Sequence, residues 1–323
     1  MVTATIGRMS TIKLTSQRGA PALGRRMLNK VPEVTVFFWI IKILATTVGE
    51  TASDYFNETL GFGLHNTTYV MGAVLIAVLV GQFRLNRYVP WVYWLTVVLI
   101  SIVGTLITDN LTDGWNVPLT TSTPIFAGLL ALTFAAWYAS ERTLSIHSIF
   151  TRRREAFYWL TILFTFALGT AAGDLLQEQA GWSLAALAAL WAGAIALITA
   201  AHYAVQATLD AEHRHRASSA VLAFWLAYIM TRPLGASLGD LLTLPRDESP
   251  AGLGLGTNRV SIIFAVIIVG LVAYLTKTKR DVIEVVDGDE QTAAPARGQH
   301  EHAHHAGRWQ PQPEPAADPG SAQ

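Results

Sequence analysis

The sequence predicts an all-α, polytopic membrane helix bundle: eight transmembrane helices arranged as four tandem helix hairpins. Three observations predict it. Apolar residues are gathered into eight stretches of about 18 residues or more, the length needed to cross a bilayer as a helix. A tryptophan, a glycine ten residues later and an aspartate five residues after that recur four times. Basic residues fall in every second connection, which is how membrane proteins set their orientation.

The apolar stretches run roughly over 34–54, 67–83, 91–109, 122–140, 156–174, 183–203, 219–239 and 258–276. With 51% hydrophobic and only 14% charged residues, the chain has the composition of a membrane protein, and its short connections leave no room for a sizeable soluble domain. The organisation reads as a basic N-terminal arm (1–32), an eight-helix membrane domain (33–280) and a His- and Pro-rich tail (281–323). The repeats cover about 33–87, 88–145, 153–210 and 219–280. The arm carries Arg8, Lys13, Arg18, Arg25, Arg26 and Lys30. The apolar stretch after it is too long for a signal-peptide core and lacks a small-residue cleavage site, so it reads as an uncleaved first helix. The tail lacks apolar periodicity and reads as disordered.

Orientation follows from the connections. Arg84 and Arg87 lie between helices 2 and 3. Arg142, Arg152, Arg153 and Arg154 lie between 4 and 5, Arg214 and Arg216 between 6 and 7, and Lys277, Lys279 and Arg280 after helix 8. The opposite connections hold only Arg246 and Arg259, and carry Glu58, Asp113 and Glu178 instead. Both termini are therefore expected in the cytoplasm.

The repeated sets are Trp39/Gly49/Asp54, Trp94/Gly104/Asp109, Trp159/Gly169/Asp174 and Trp225/Gly235/Asp240. Tandem self-similarity signifies one structural unit copied. All four units have the same orientation, so their symmetry axis would run along the membrane normal rather than in its plane. Four residues after each glycine stands a small residue: Ser53, Thr108, Gly173 and Gly239. Small residues one turn apart let helix backbones approach in a bilayer. The four motif helices are therefore expected to pack together, with the plainer helices toward lipid. Glycines and tryptophans read as packing and anchoring positions.

The aspartates carry the chemical expectation. At 1.5 Å per residue they lie about 22 Å from the tryptophans, toward the outer ends of helices 1, 3, 5 and 7. In the first repeat Lys42, Thr46, Glu50 and Asp54 are spaced by four, which stacks them on one stripe of a helix. In the fourth, Tyr228, Arg232, Ala236 and Asp240 form the equivalent stripe. Five acids (Asp54, Asp109, Asp174, Asp240 and Glu50) thus face two bases (Lys42 and Arg232), and an ionisable residue at membrane depth points to a functional site. Such a cluster calls for bound protons or a cation, and oxygen ligands favour a hard ion. Lys42 and Arg232 are expected to pair with the acids. The competing reading is that each aspartate ends its helix at headgroups or water, or caps a following turn.

Zero cysteines exclude disulfides and thiolate metal sites. A net charge of zero implies no nucleic-acid partner. In the tail, His300, His302, His304 and His305 have a spacing that can bind a transition metal; a solvated low-complexity tail is the simpler reading. His213 and His215 form a second small group.

The strings FFWIIKILATTVGETASDY, YWLTVVLISIVGTLITD, YWLTILFTFALGTAAGD and FWLAYIMTRPLGASLGD resemble a bacterial family of membrane proteins built of four tandem two-helix repeats of unknown function. The resemblance spans about 33–280 and implies a bacterial inner-membrane protein, with no activity attached. The leading expectation is a non-enzymatic transporter of a small cation or metal ion, proton coupling included, with the bilayer and the ion as partners and self-association left open. A membrane scaffold or stress-related anchor is the alternative. An intramembrane aspartyl protease is a remote one, because AAGD and SLGD lack the G-x-G-D form.

Overall fold

The computed structural model describes residues 29–208, 213–247 and 251–282. The basic arm up to residue 28 and the tail from residue 283, with His300, His302, His304 and His305, lie outside the described residues, as do the side chains of His213 and His215.

Eight helices follow in order: α1 (Val36–Asp54), α2 (Leu64–Arg84), α3 (Pro90–Asp109), α4 (Leu119–Glu141), α5 (Arg152–Ala180), α6 (Leu184–Thr208), α7 (His213–Thr243) and α8 (Thr257–Thr278). All eight contain a stretch long and apolar enough to cross a membrane. Local chemistry sets several ends. Thr35 caps α1 by accepting from the Phe38 amide, and Thr151 caps α5 by accepting from Arg154. A side-chain oxygen there satisfies an amide that the first turn leaves without a partner. Pro90 opens α3, where its missing N–H leaves no gap in the ladder. Gly181 ends α5 at φ +60°, a conformation glycine adopts without strain.

The helices form two shells. Within the apolar spans of α1, α3, α5 and α7, 50–72% of residues are buried; in α2, α4, α6 and α8 the share is 11–28%. The motif helices are thus the core and the plain helices its lipid-facing coat, as their sequences predict. The core is a closed ring in which α1 packs on α3, α3 on α5, α5 on α7 and α7 on α1. The coat follows the same rotation. Each plain helix leans on the motif helix of the next repeat: α2 on α3, α4 on α5, α6 on α7, and α8 back on α1. The spatial partner is therefore the following repeat, and the last repeat closes on the first.

Repeat glycines make the ring possible. A Cβ on Gly49 would fall 1.9 Å from Ser101 Oγ, and one on Gly104 would fall 2.7 Å from Phe166 Cβ. One on Gly169 would lie 2.5 Å from Arg232 Cβ, and one on Gly235 2.6 Å from Thr46 Cγ2. Every glycine meets the side chain three positions before the glycine of the next motif helix. Hydroxyls stitch the same seams: Thr47 Oγ1 donates to the Gly235 carbonyl (3.0 Å) and Thr108 Oγ1 to that of Ala167 (3.1 Å).

At the tryptophan end, side chains and backbone tie the segments that flank the membrane domain to the bundle. Lys30 Nζ donates to Glu155 Oε2 at 2.6 Å, and Gln82 Nε2 to Glu155 Oε1 at 3.0 Å. The Tyr88 amide donates to Asn29 and the Glu33 amide to Asp281. Tyr88 Oη donates to Asp281 Oδ2 at 2.5 Å. Lys30 is 2% exposed. Its charge is therefore half of a buried ion pair.

Candidate functional site

The interior of the ring is layered along its axis. The layer at the tryptophan end is aromatic. Phe38 of α1 meets Trp94 of α3, with ring centroids 5.5 Å apart. Tyr93 of α3 meets Trp159 of α5 at 5.4 Å, Tyr158 of α5 meets Trp225 of α7 at 6.2 Å, and Phe224 of α7 returns to Phe38 at 5.9 Å. Trp94, Trp159 and Trp225 are buried, while Trp39 is partly exposed and packs at a tilt beside Phe224. Trp225 Nε1 donates to the Leu144 carbonyl at 3.0 Å. Between the neighbouring helices α3 and α5, the hydroxyls of Tyr93 and Tyr158 stand 2.5 Å apart. The tryptophans are thus bundle packing, and they act with the aromatic residue that precedes each of them.

One turn further, Lys42 enters the ring from α1. It is 1% exposed. Its Nζ lies 3.9 Å from the centre of the Phe166 ring and 4.3 Å from that of Tyr228, and donates to Thr46 Oγ1 at 3.1 Å. An ammonium over ring faces is held by the negative face of the π system, worth about 2 kcal/mol or more once desolvated. The expectation that Lys42 pairs with an acid does not hold. Among the described residues none of the carboxylates forms an ion pair with it, because its nitrogen is taken up by two rings and a hydroxyl.

Arg232 of α7 forms the next layer. Also 1% exposed, it pairs through Nη2 with Glu50 Oε2 of α1 and donates to Thr105 Oγ1 of α3 at 2.6 Å. Its Nε and Nη1 are buried without an acceptor. Arg232 thus behaves as an acid partner. It joins three motif helices at one point, and its stem fills the notch left by Gly169.

The four aspartates come last. All are half-buried. Asp109 is within electrostatic reach of Glu50, Asp54, Asp174 and Arg232; Asp174 of Glu50, Asp240 and Arg232; and Asp240 of Glu50 and Arg232. Asp109, Asp174 and Asp240, from three different motif helices, therefore share the Glu50–Arg232 pair as a charged neighbour. In the first two repeats the helix loosens into a π turn straight after the acid, at Tyr55–Thr59 and Asn110–Gly114, with no capping bond from the Asp54 or Asp109 side chain. The third and fourth motif helices continue in regular form past Asp174 and Asp240, to Ala180 and Thr243.

Among the described residues no three acids or histidines close on one point that could hold a metal ion. The arrangement is a set of aspartates that share the Glu50–Arg232 pair as a charged neighbour.

Two features of this interior escape a reading of the motif alone. Phe166 and Tyr228, the rings under Lys42, look like ordinary apolar and stripe positions. The aromatic layer did carry a signal: the doublets Phe38–Trp39, Tyr93–Trp94, Tyr158–Trp159 and Phe224–Trp225 repeat with the motif.

Fold and site together define a membrane-spanning protein of four helical repeats whose motif helices enclose a charged interior. The chain matches the family model described as Repeat of Unknown Function (DUF347) four times, over residues 37–88, 92–143, 157–208 and 223–281, and belongs to that family. Each match spans one motif helix and the plain helix after it. No curated protein and no solved structure matches the chain significantly.

Proposed function

We propose that this protein is a non-enzymatic transporter of a small cation or of protons in the cell inner membrane, with both termini in the cytoplasm. The supporting observation is the convergence of Asp109, Asp174 and Asp240 with Glu50 and Arg232, from all four motif helices, inside one ring. A carboxylate at membrane depth is retained only against a large desolvation penalty, and four aspartates beside the Glu50–Arg232 pair make the interior attractive to positive charge. Arg232 holds Glu50 and thereby fixes the centre of the acid ring. The aromatic layer, in which the Tyr93 and Tyr158 hydroxyls meet, lies between this acidic half and the cytoplasmic side. Transport then requires that layer to part.

The test is flux into proteoliposomes, read with a pH-sensitive dye and with Na⁺, K⁺, Mg²⁺ and Mn²⁺ gradients. Wild type is set beside the variant carrying Asp→Asn at positions 54, 109, 174 and 240. One ion should move in wild type and not in the variant, with both proteins inserted equally. Equal flux in the two, or none for protons and every ion in wild type, sinks the proposal.

A further inference from the structure

The seat occupied by the Lys42 ammonium has the chemistry of a binding site for a free monovalent cation of ammonium type. Two aromatic faces, Phe166 from α5 and Tyr228 from α7, lie 3.9 and 4.3 Å from the nitrogen, and the Thr46 hydroxyl stands 3.1 Å away. The Tyr228 hydroxyl is itself buried without a hydrogen-bond partner. Lys42 brings no counter-acid into the seat; the charge that acts on it is that of another cation, Arg232. A buried charge held by rings and one hydroxyl, beside a like charge, is held less firmly than one in an ion pair. The lysine stem is flexible, and its nitrogen already leans one turn toward the acid end, onto Thr46.

We propose that Lys42 is a tethered competitor: its ammonium fills an aromatic cation seat at the floor of the acidic interior, and a free ammonium or methylammonium ion binds there when Lys42 withdraws. This inference rests on the cation-transport reading and names the class of cation that the interior takes deepest. The acids attract the ion, and the two rings receive it where no carboxylate does. A group tethered on a short stem competes at an effective concentration in the millimolar range. Its removal should therefore lower the concentration of free ion needed to fill the seat by about tenfold or more.

The experiment is thermal unfolding of the purified protein in detergent against ammonium chloride and methylammonium chloride. Sodium chloride and neutral n-butanol serve as controls. Wild type is compared with Lys42→Ala, with Lys42→Met as the bulk-preserving variant, and with the double change Lys42→Ala/Tyr228→Leu. Methylammonium should raise the unfolding temperature of Lys42→Ala at about one tenth of the concentration wild type needs. Sodium and n-butanol should not reproduce the effect, and the Tyr228→Leu change should abolish it. If Lys42→Ala cannot be purified, the same leftward shift is required of Lys42→Met. A lysine variant no more responsive than wild type, or one equally stabilised by n-butanol, overturns the inference. Loss of cation response in the fourfold Asp→Asn variant while Lys42→Ala behaves as wild type overturns the tether alone and leaves the transport reading standing. Absence of a cation response in every protein, with no flux, removes both.

Discussion

Gly235 of the last motif helix rests against Thr46 of the first, in the same relationship that Gly49 bears to Ser101. The ring of four repeats thus closes, where the fourth motif helix meets the first, with a contact of the same kind. A methyl group at position 235 would stand 2.6 Å from Thr46 Cγ2 and 3.2 Å from the Thr47 nitrogen, and the backbone atom cannot yield without moving the helix. Overpacking of this sort destabilises by about 1–3 kcal/mol. Gly235→Ala should therefore lower the unfolding temperature clearly. Gly72→Ala, on the coat helix α2 with nothing within 4 Å, should leave it unchanged or slightly higher. Thermal unfolding of the two variants side by side checks this, and equal behaviour would mean that the ring is looser than its glycines imply.

Much of this architecture is legible in the sequence, for a physical reason. Apolar length fixes the helices, and Gly49, Gly104, Gly169 and Gly235 with their small partners mark the faces that approach one another. What the motif cannot convey is which neighbour each face meets. Gly104 and Gly169 look alike along the chain, yet one meets Phe166 and the other Arg232. Direction around the ring is a property of three-dimensional packing. For the same reason Lys42 and Arg232 look equivalent, as lone bases on equivalent stripes. They are offset by one turn, however, and the offset delivers Arg232 to Glu50 and Lys42 to the rings. The acids were visible as a repeated position; their common centre was not.

The Glu50–Arg232 pair supplies a second prediction. Arg232 is 1% exposed and Glu50 14% in their side chains. Removing one member of a buried pair leaves the other charge uncompensated, at about 3–5 kcal/mol. Glu50→Gln should therefore be strongly destabilising. Glu50→Gln/Arg232→Gln, which removes both charges, should recover a large part of the loss. A double-mutant cycle of unfolding free energies measures the coupling. A double variant as unstable as the sum of the singles would mean that the two charges do not act on each other.

Asp281 gives a pH-dependent prediction outside the membrane spans. Burial pushes its carboxyl above the usual carboxylate range, and the Tyr88 hydroxyl, which donates to it, opposes that only in part. An acid whose pKa is higher in the folded than in the unfolded protein binds its proton more tightly when folded. Its contribution is therefore fully present below the unfolded value, near 4, and is lost as pH rises from there through the folded value. At neutral pH the buried carboxylate works against the clamp between Tyr88, Glu33 and Asp281. Asp281→Asn keeps an acceptor for Tyr88 without the charge. The variant should be the more stable protein at pH 7 to 8, and the advantage should vanish near pH 4. Unfolding temperatures of both proteins from pH 4 to 8 decide it, and a variant that loses stability at pH 8 would contradict it.

Ring closure makes the last prediction. At the tryptophan end the Glu33 amide donates to the Asp281 carbonyl at 2.8 Å, and Tyr88 bonds both Asn29 and Asp281. The start and the end of the membrane domain therefore lie side by side, and α8 packs on α1 as α2 packs on α3. A chain that closes on itself in this way should tolerate having its ends moved. A circular permutant that joins residue 282 to residue 29 through a short flexible linker, and opens between the exposed residues Asn86 and Arg87, keeps every helix pair of the ring. It also leaves the new ends on the same side of the bundle as the old ones, so no helix has to insert in the opposite sense. The permutant should insert, purify as a folded protein and unfold within about 5 °C of the parent lacking both tails, the equivalent of one or two kcal/mol at this size. A second permutant opened within α3, between Val97 and Val98, breaks a core helix and should fail. Should both permutants fail alike, the contact between the fourth repeat and the first would be an incidental meeting of chain ends; success of the first alone would establish four equivalent interfaces.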